Sequence, residues 1–125
     1  GAGEAAALAE AAEEEAALFA TGSTPLHAAA ALGDLKGVLG HLRERPGDVA
    51  AADANNWHAL HEAARGGHLE VVKALVDGGS DLGATTFKGG TPLWWARETH
   101  GDAHPVVRFL QSLGAPDFSE PEDEL

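Results

Sequence analysis

The sequence predicts an all-α solenoid of stacked helix-turn-helix units with hairpin-like loops, and three observations lead there. A tetrapeptide recurs as Thr24-Pro25-Leu26-His27, His58-Ala59-Leu60-His61 and Thr91-Pro92-Leu93-Trp94, its leucines 34 and then 33 residues apart. A second landmark keeps the same register: Gly33-Asp34-Leu35, Gly67-His68-Leu69 and Gly101-Asp102-Ala103, at spacings of 34 and 34. A period in this range marks helix pairs that cannot bury their apolar faces without a neighbour. The third observation is composition. The 125 residues are 44% hydrophobic but only 6% aromatic, and much of the apolar share is alanine, which disfavours a single bulky core.

The elements follow in order. Residues 1–20 are rich in Ala and Glu, both strong helix formers, with Leu8, Ala12, Glu15 and Phe19 marking faces of a helix placed to cap the N-terminal end. In the first unit, about 21–52, the Thr24 hydroxyl can cap a helix, and Pro25 occupies the first helical position, where its missing N–H loses no bond. Gly37 and Gly40 weaken the second helix of that unit, each by about 0.8–1 kcal/mol relative to alanine. The middle unit, about 53–85, has His58-Ala59 in place of Thr-Pro, without the hydroxyl cap or the preset φ. Its second helix carries Leu69, Val72, Leu75 and Val76 at helical spacing and stops at Asp77-Gly78-Gly79. The third unit, about 86–115, restores Thr91-Pro92, lengthens its turn by a residue near Thr99 and restarts a helix at Pro105. The loops Asp48 to Trp57 and Asp81 to Gly90 contain Asn55-Asn56 and Lys88-Gly89-Gly90, suited to turns that need positive φ. Residues 116–125, with Pro116, Pro121 and few apolar groups, read as an acidic disordered tail.

Charge and cysteine content close several function classes. The formal net charge is −12, the sign that repels phosphate backbones and anionic lipid, so neither nucleic acid nor a membrane surface is an expected partner. Ten of those charges sit in residues 1–20 and 116–125, and the middle is an ordinary mixed surface. The absence of cysteine removes disulfides, thiolate metal sites and a cysteine nucleophile. No apolar run of about 18 residues is long enough to span a bilayer. The chain opens on Gly1 rather than Met, compatible with a piece of a longer protein.

Thr24-Pro25-Leu26-His27-Ala28-Ala29 resembles the T-P-L-H-x-A core of the ankyrin repeat, and Asp53 to Leu75 is similar to a family repeat almost throughout. The resemblance covers roughly residues 22–115, as three repeats. It implies that Thr24, Pro25, His27, His61, Thr91 and Pro92 are structural, with His61 tying adjacent loops through both ring nitrogens. Trp94 departs from the motif histidine, and an apolar plate suits a terminal repeat with no following loop to bond.

Candidate chemistry is sparse. His58 and His61 lie three apart on one helix face but lack a third ligand, and His100, Asp102 and His104 fall in one turn rather than on the scaffold of a two-histidine, one-carboxylate iron site. His61-Glu62 is followed by Arg65 where a zinc-protease helix needs histidine, no serine sits in a G-x-S-x-G elbow, and no glycine run ends as a phosphate loop. No catalytic site, metal or cofactor is therefore expected.

Ankyrin repeats generally bind partners through their fingertips and inner helices. Carried over by position, the surface sites are Ser23, Ala31 and Leu32; Ala54, Asn55, Trp57, Arg65 and Gly66; and Phe87, Lys88, Gly90, Glu98, Thr99 and His100. Trp57 and Phe87 are the unusual ones, because large aromatics at loop positions are candidate hot spots, with Arg65 and Lys88 beside them for a partner carboxylate. The alternative is that they support neighbouring fingers. Trp95, at a position usually aliphatic, reads as core. The expected function is a non-catalytic module binding a protein or peptide on its concave and loop face, monomeric or as a homodimer. An accessory domain of a larger enzyme and a self-association module are the alternatives. The resemblance implies cytoplasm or nucleus, whereas the terminal Glu122-Asp123-Glu124-Leu125 is similar to endoplasmic-reticulum retention signals and keeps that lumen open if the C-terminus is native.

Overall fold

The structure, a computed structural model, describes residues 22–118; the Ala/Glu segment and residues 119–125 lie outside it. Six helices and no strands occur among the described residues: α1 Pro25–Leu32, α2 Leu35–Glu44, α3 Ala59–Gly66, α4 Leu69–Asp77, α5 Pro92–His100 and α6 Pro105–Ser112. Part of the first long loop is a 3-10 turn, Pro46–Ala50, which buries Val49. Among the described residues no helix is long and apolar enough to cross a membrane.

The helices form two layers. The inner layer stacks α1 on α3 and α3 on α5, and the outer layer stacks α2 on α4 and α4 on α6. The repeated leucines Leu26, Leu60 and Leu93 face the seam and are essentially inaccessible, as are Val38, Leu75 and Leu110 from the outer helices. Each pair thus covers the face its neighbour exposes, as the period requires.

The helix starts follow from local chemistry. The Thr24 hydroxyl accepts from the His27 N–H at 3.3 Å, and the Thr24 N–H donates to His27 Nδ1 at 3.1 Å, a reciprocal cap. Helix α3 begins at the equivalent place despite its missing Thr-Pro. The His58 N–H donates to His61 Nδ1 at 2.9 Å, so the third helical residue supplies the half of the cap that does not need a hydroxyl. Helices α1 and α3 close on left-handed Gly33 and Gly67. At Gly33 a Cβ would come within 2.5 Å of the His68 ring; the absence of a side chain lets the next repeat approach. The two glycines of α2 do not break it, and the Asp34 carboxylate caps it through the Gly37 N–H at 3.0 Å.

The boundary drawn at residue 116 is corrected at its first residues. Thr91 donates its hydroxyl to the Pro116 carbonyl at 2.7 Å and its N–H to the Phe118 carbonyl at 3.0 Å, while Arg97 Nε donates to Asp117 at 2.8 Å. Residues 116–118 are therefore held against α5 by bonds that composition does not reveal.

Candidate aromatic docking site

Two histidine rows set the repeats at fixed spacing. His27 Nδ1 accepts from the Thr24 N–H, so Nε2 carries the proton and donates to the Trp57 carbonyl at 2.8 Å. His61 repeats the arrangement one unit on, accepting from His58 and donating Nε2–H to the Ala84 carbonyl at 2.9 Å. In the third unit Trp94 has no accepting ring nitrogen to complete the cap, and the Thr91 bonds to residues 116 and 118 close the stack instead. The second row runs along the opposite helix ends: His68 Nε2 meets the Ala31 carbonyl at 3.1 Å and His100 Nε2 meets the Arg65 carbonyl at 2.7 Å. These satisfy terminal helix carbonyls that lack intrahelical partners.

The metal reading of His58 and His61 meets a geometric obstacle. Both His61 nitrogens are engaged, leaving no lone pair for a cation. Burial is the main force pushing its pKa down to about 4, against the bond to Ala84, so the ring is neutral. His58 is lowered as well, chiefly by burial and against the pull of Asp81. His100 and His104 stack at 4.5 Å, the first bonded to Arg65 and the second capping α6 through the Val106 N–H.

The loops that carry the aromatics are cross-linked. The Phe87 N–H donates to the Asn55 carbonyl at 3.0 Å and the Asn56 side chain to the Thr85 carbonyl at 2.6 Å. Asn56 takes φ 61°, a left-handed conformation that asparagine tolerates. Asp53 folds its carboxylate back onto the N–H groups of Asn55 and Trp57, at 2.8 and 2.9 Å. The fingertips are thus fixed by their own backbone.

On this frame Trp57 lies half-buried with Trp95 at 4.7 Å, tilted by 44°, and His61 edge-on at 5.6 Å. The Arg65 guanidinium sits 4.6 Å from the Trp57 ring centroid and holds Glu62 at 2.8 Å. Asn55, Trp57, Phe87, Lys88 and Trp95 line a cleft of about 250 Å³. Phe87 is 72% exposed, so it does not pack into the fingers as Trp57 does. Four of the six proposed contact residues, Asn55, Trp57, Phe87 and Lys88, meet at the cleft, and Arg65 flanks it. Leu32 is 79% exposed at the far end of α1 and does not line it.

Two residues need correction. Trp95, whose usually aliphatic position suggests core, is half-buried and lines the cleft. The repeat register held the signal, because Trp95 aligns with exposed Ala28 and partly exposed Glu62, one place after the last residue of each tetrapeptide. Gly90, carried over as a surface position, is buried under both indoles. A Cβ there would lie 2.6 Å from Trp95 Nε1 and 2.7 Å from Trp94 Cε3, at φ +104°. Gly90→Ala should therefore cost about 1–3 kcal/mol and displace the indoles, shifting tryptophan emission in step with the denaturation midpoint. Unchanged emission and stability would contradict the close approach.

The sequence model described as "Ankyrin repeats (3 copies)" matches residues 26–119. The chain belongs to the ankyrin repeat family. Among solved structures the human ASB11 ankyrin repeat domain is similar, with a TM-score of 0.68 and 34% identity over 74% of this chain and 41% of that one. Human protein phosphatase 1 regulatory subunit 27 is 40% identical over 84 residues, 66% of this chain. This ankyrin chain spans about half of that relative's length, 53%. A shorter match, 40% over 58 residues, joins 46% of this chain to 13% of human NAD-capped RNA hydrolase NUDT12. Ankyrin repeats are generally protein–protein interaction modules.

Proposed function

We propose that this ankyrin repeat chain is a non-catalytic docking module that binds a protein or peptide partner at the Trp57–Trp95 cleft. The observation that carries the reading is the juxtaposition of an exposed Phe87 with two half-buried indoles on loops fixed by inter-loop hydrogen bonds. A surface ordered before binding loses little entropy on association, so a few anchors provide useful affinity. Arg65 over Trp57 and Lys88 at the rim add the charged element common among such anchors.

Affinity capture from lysate with the full-length protein, followed by identification of retained species, supplies the partner. Phe87→Ala should weaken its binding by about tenfold or more with unaltered helical circular dichroism. Trp57→Ala should weaken it further at some cost in stability, because the ring also packs on Trp95. Retention of the same partner at the same affinity by both variants would move the site elsewhere. Loss of helical signal in Phe87→Ala would make that ring a structural support. Light scattering over a dilution series separates partner docking from self-association through the same aromatics.

A second reading treats the repeats as an accessory domain of a larger enzyme, supported by the partial match to NUDT12. In that reading the cleft positions a substrate or partner, and the length of the full protein distinguishes the two.

A further inference from the structure

Resting on the docking role just assigned to the cleft, we infer that its occupant is an acidic, apolar-anchored segment of a partner protein. A phenylalanine or leucine side chain enters beside the indoles, and a flanking carboxylate meets Lys88.

The apolar half follows from size and shape. The cleft of about 250 Å³ falls below the range of roughly 300–1,000 Å³ common for small-molecule pockets. It has room for one or two side chains. Its lining includes the packed indoles of Trp57 and Trp95 and the exposed ring of Phe87, and Asn55 offers an amide to a peptide backbone.

The charged half follows from which groups are already committed. Asp53 accepts from the Asn55 and Trp57 amides, and Asp81 from the Gly83 N–H at 2.9 Å. Glu62 holds Arg65 at 2.8 Å, while Asp117 and Glu98 hold Arg97 at 2.8 and 3.3 Å. Lys88 lines the cleft, and among the described residues no carboxylate stands within ion-pair distance of its ammonium. An incoming carboxylate would pair with Lys88 beside apolar ring faces, where attraction is stronger than in open water. A cationic segment would meet Lys88 in a cleft with no acid among its described lining residues, an arrangement that discriminates against it. The acidic flanks of this chain, which hold most of the net charge, slow the approach of such a partner.

The intrinsic tryptophan fluorescence of the full chain reads the test directly. Three pools of short tryptophan-free peptides share a Phe-Leu centre and differ in their flanks: Asp/Glu/Gly, Asn/Gln/Gly or Lys/Arg/Gly. The acidic pool should bind about tenfold tighter than the neutral pool, and the basic pool weakest. Lys88→Glu should reverse that order, Lys88→Gln should flatten it, and Phe87→Ala should weaken all three pools together.

Equal affinity for the pools, or an order unchanged in Lys88→Glu, overturns the acidic assignment and leaves the docking cleft standing. Affinities unaltered by Phe87→Ala, or no binding by any pool, overturn the cleft itself. Truncation after Phe118 that tightens the acidic pool by more than about tenfold assigns the cleft to the chain's own segment from Glu120 to Glu124 and overturns a separate partner.

Discussion

Leu60→Ala should lower the unfolding free energy by about 2–5 kcal/mol, a large part of the roughly 5–15 kcal/mol that holds a small domain together. Leu60 is fully buried on α3, the helix that stacks on both α1 and α5, so a void there loosens two interfaces at once. The matched control is Leu32→Ala. That side chain is 79% exposed, and its loss should shift stability by no more than about 0.5 kcal/mol. Urea denaturation followed by circular dichroism compares the two directly, and similar midpoints would contradict the stacked core.

Acidification should remove about 3 kcal/mol through His61. Its ring, buried with both nitrogens bonded, is held neutral with a pKa of about 4, while the unfolded chain protonates near the ordinary value of about 6.5. Between these values the unfolded state binds more protons, so stability falls as pH drops through 6.5 towards 4 and levels off below. Lowered His58 acts in the same direction. The wild-type curve must be compared with His61→Gln, because carboxylates titrating in this window contribute to both. The variant should start less stable at neutral pH, having lost the tie to Ala84, and should fall less steeply by about one proton. Parallel curves would mean that His61 does not titrate on unfolding.

The fold was legible because two landmarks of unlike chemistry, a helix-start tetrapeptide and a turn glycine, kept one register. Neither depends on long-range geometry. Thr24 and Pro25 start their helix and Gly33 ends it, so these consequences can be read locally. The cleft was legible in its loop residues Trp57, Phe87 and Lys88, whose side chains exceed what a turn requires. Trp95 is harder to read, because its residue type at a usually aliphatic position suggests core whereas its register matches exposed Ala28.

The row formed by His68 and His100 illustrates a different limit. His68 follows its turn glycine and His100 precedes its own, an offset allowed by the extra residue in α5. Aligning the repeats therefore could not superimpose them, although both imidazoles reach carbonyls of the preceding repeat. The ties of Thr91 to residues 116 and 118 are hidden for a related reason, since their acceptors are backbone oxygens that any residue carries.

The direction of the first histidine row has an evolutionary reading. The middle unit receives a bond on its loop at Trp57 and sends an identical one onward from His61. A duplicated central segment would present the same socket and the same plug, whereas a copied third unit would arrive with tryptophan where the plug belongs. Growth of this architecture by gene duplication is thus favoured at its middle, where each copy brings its own imidazole tie.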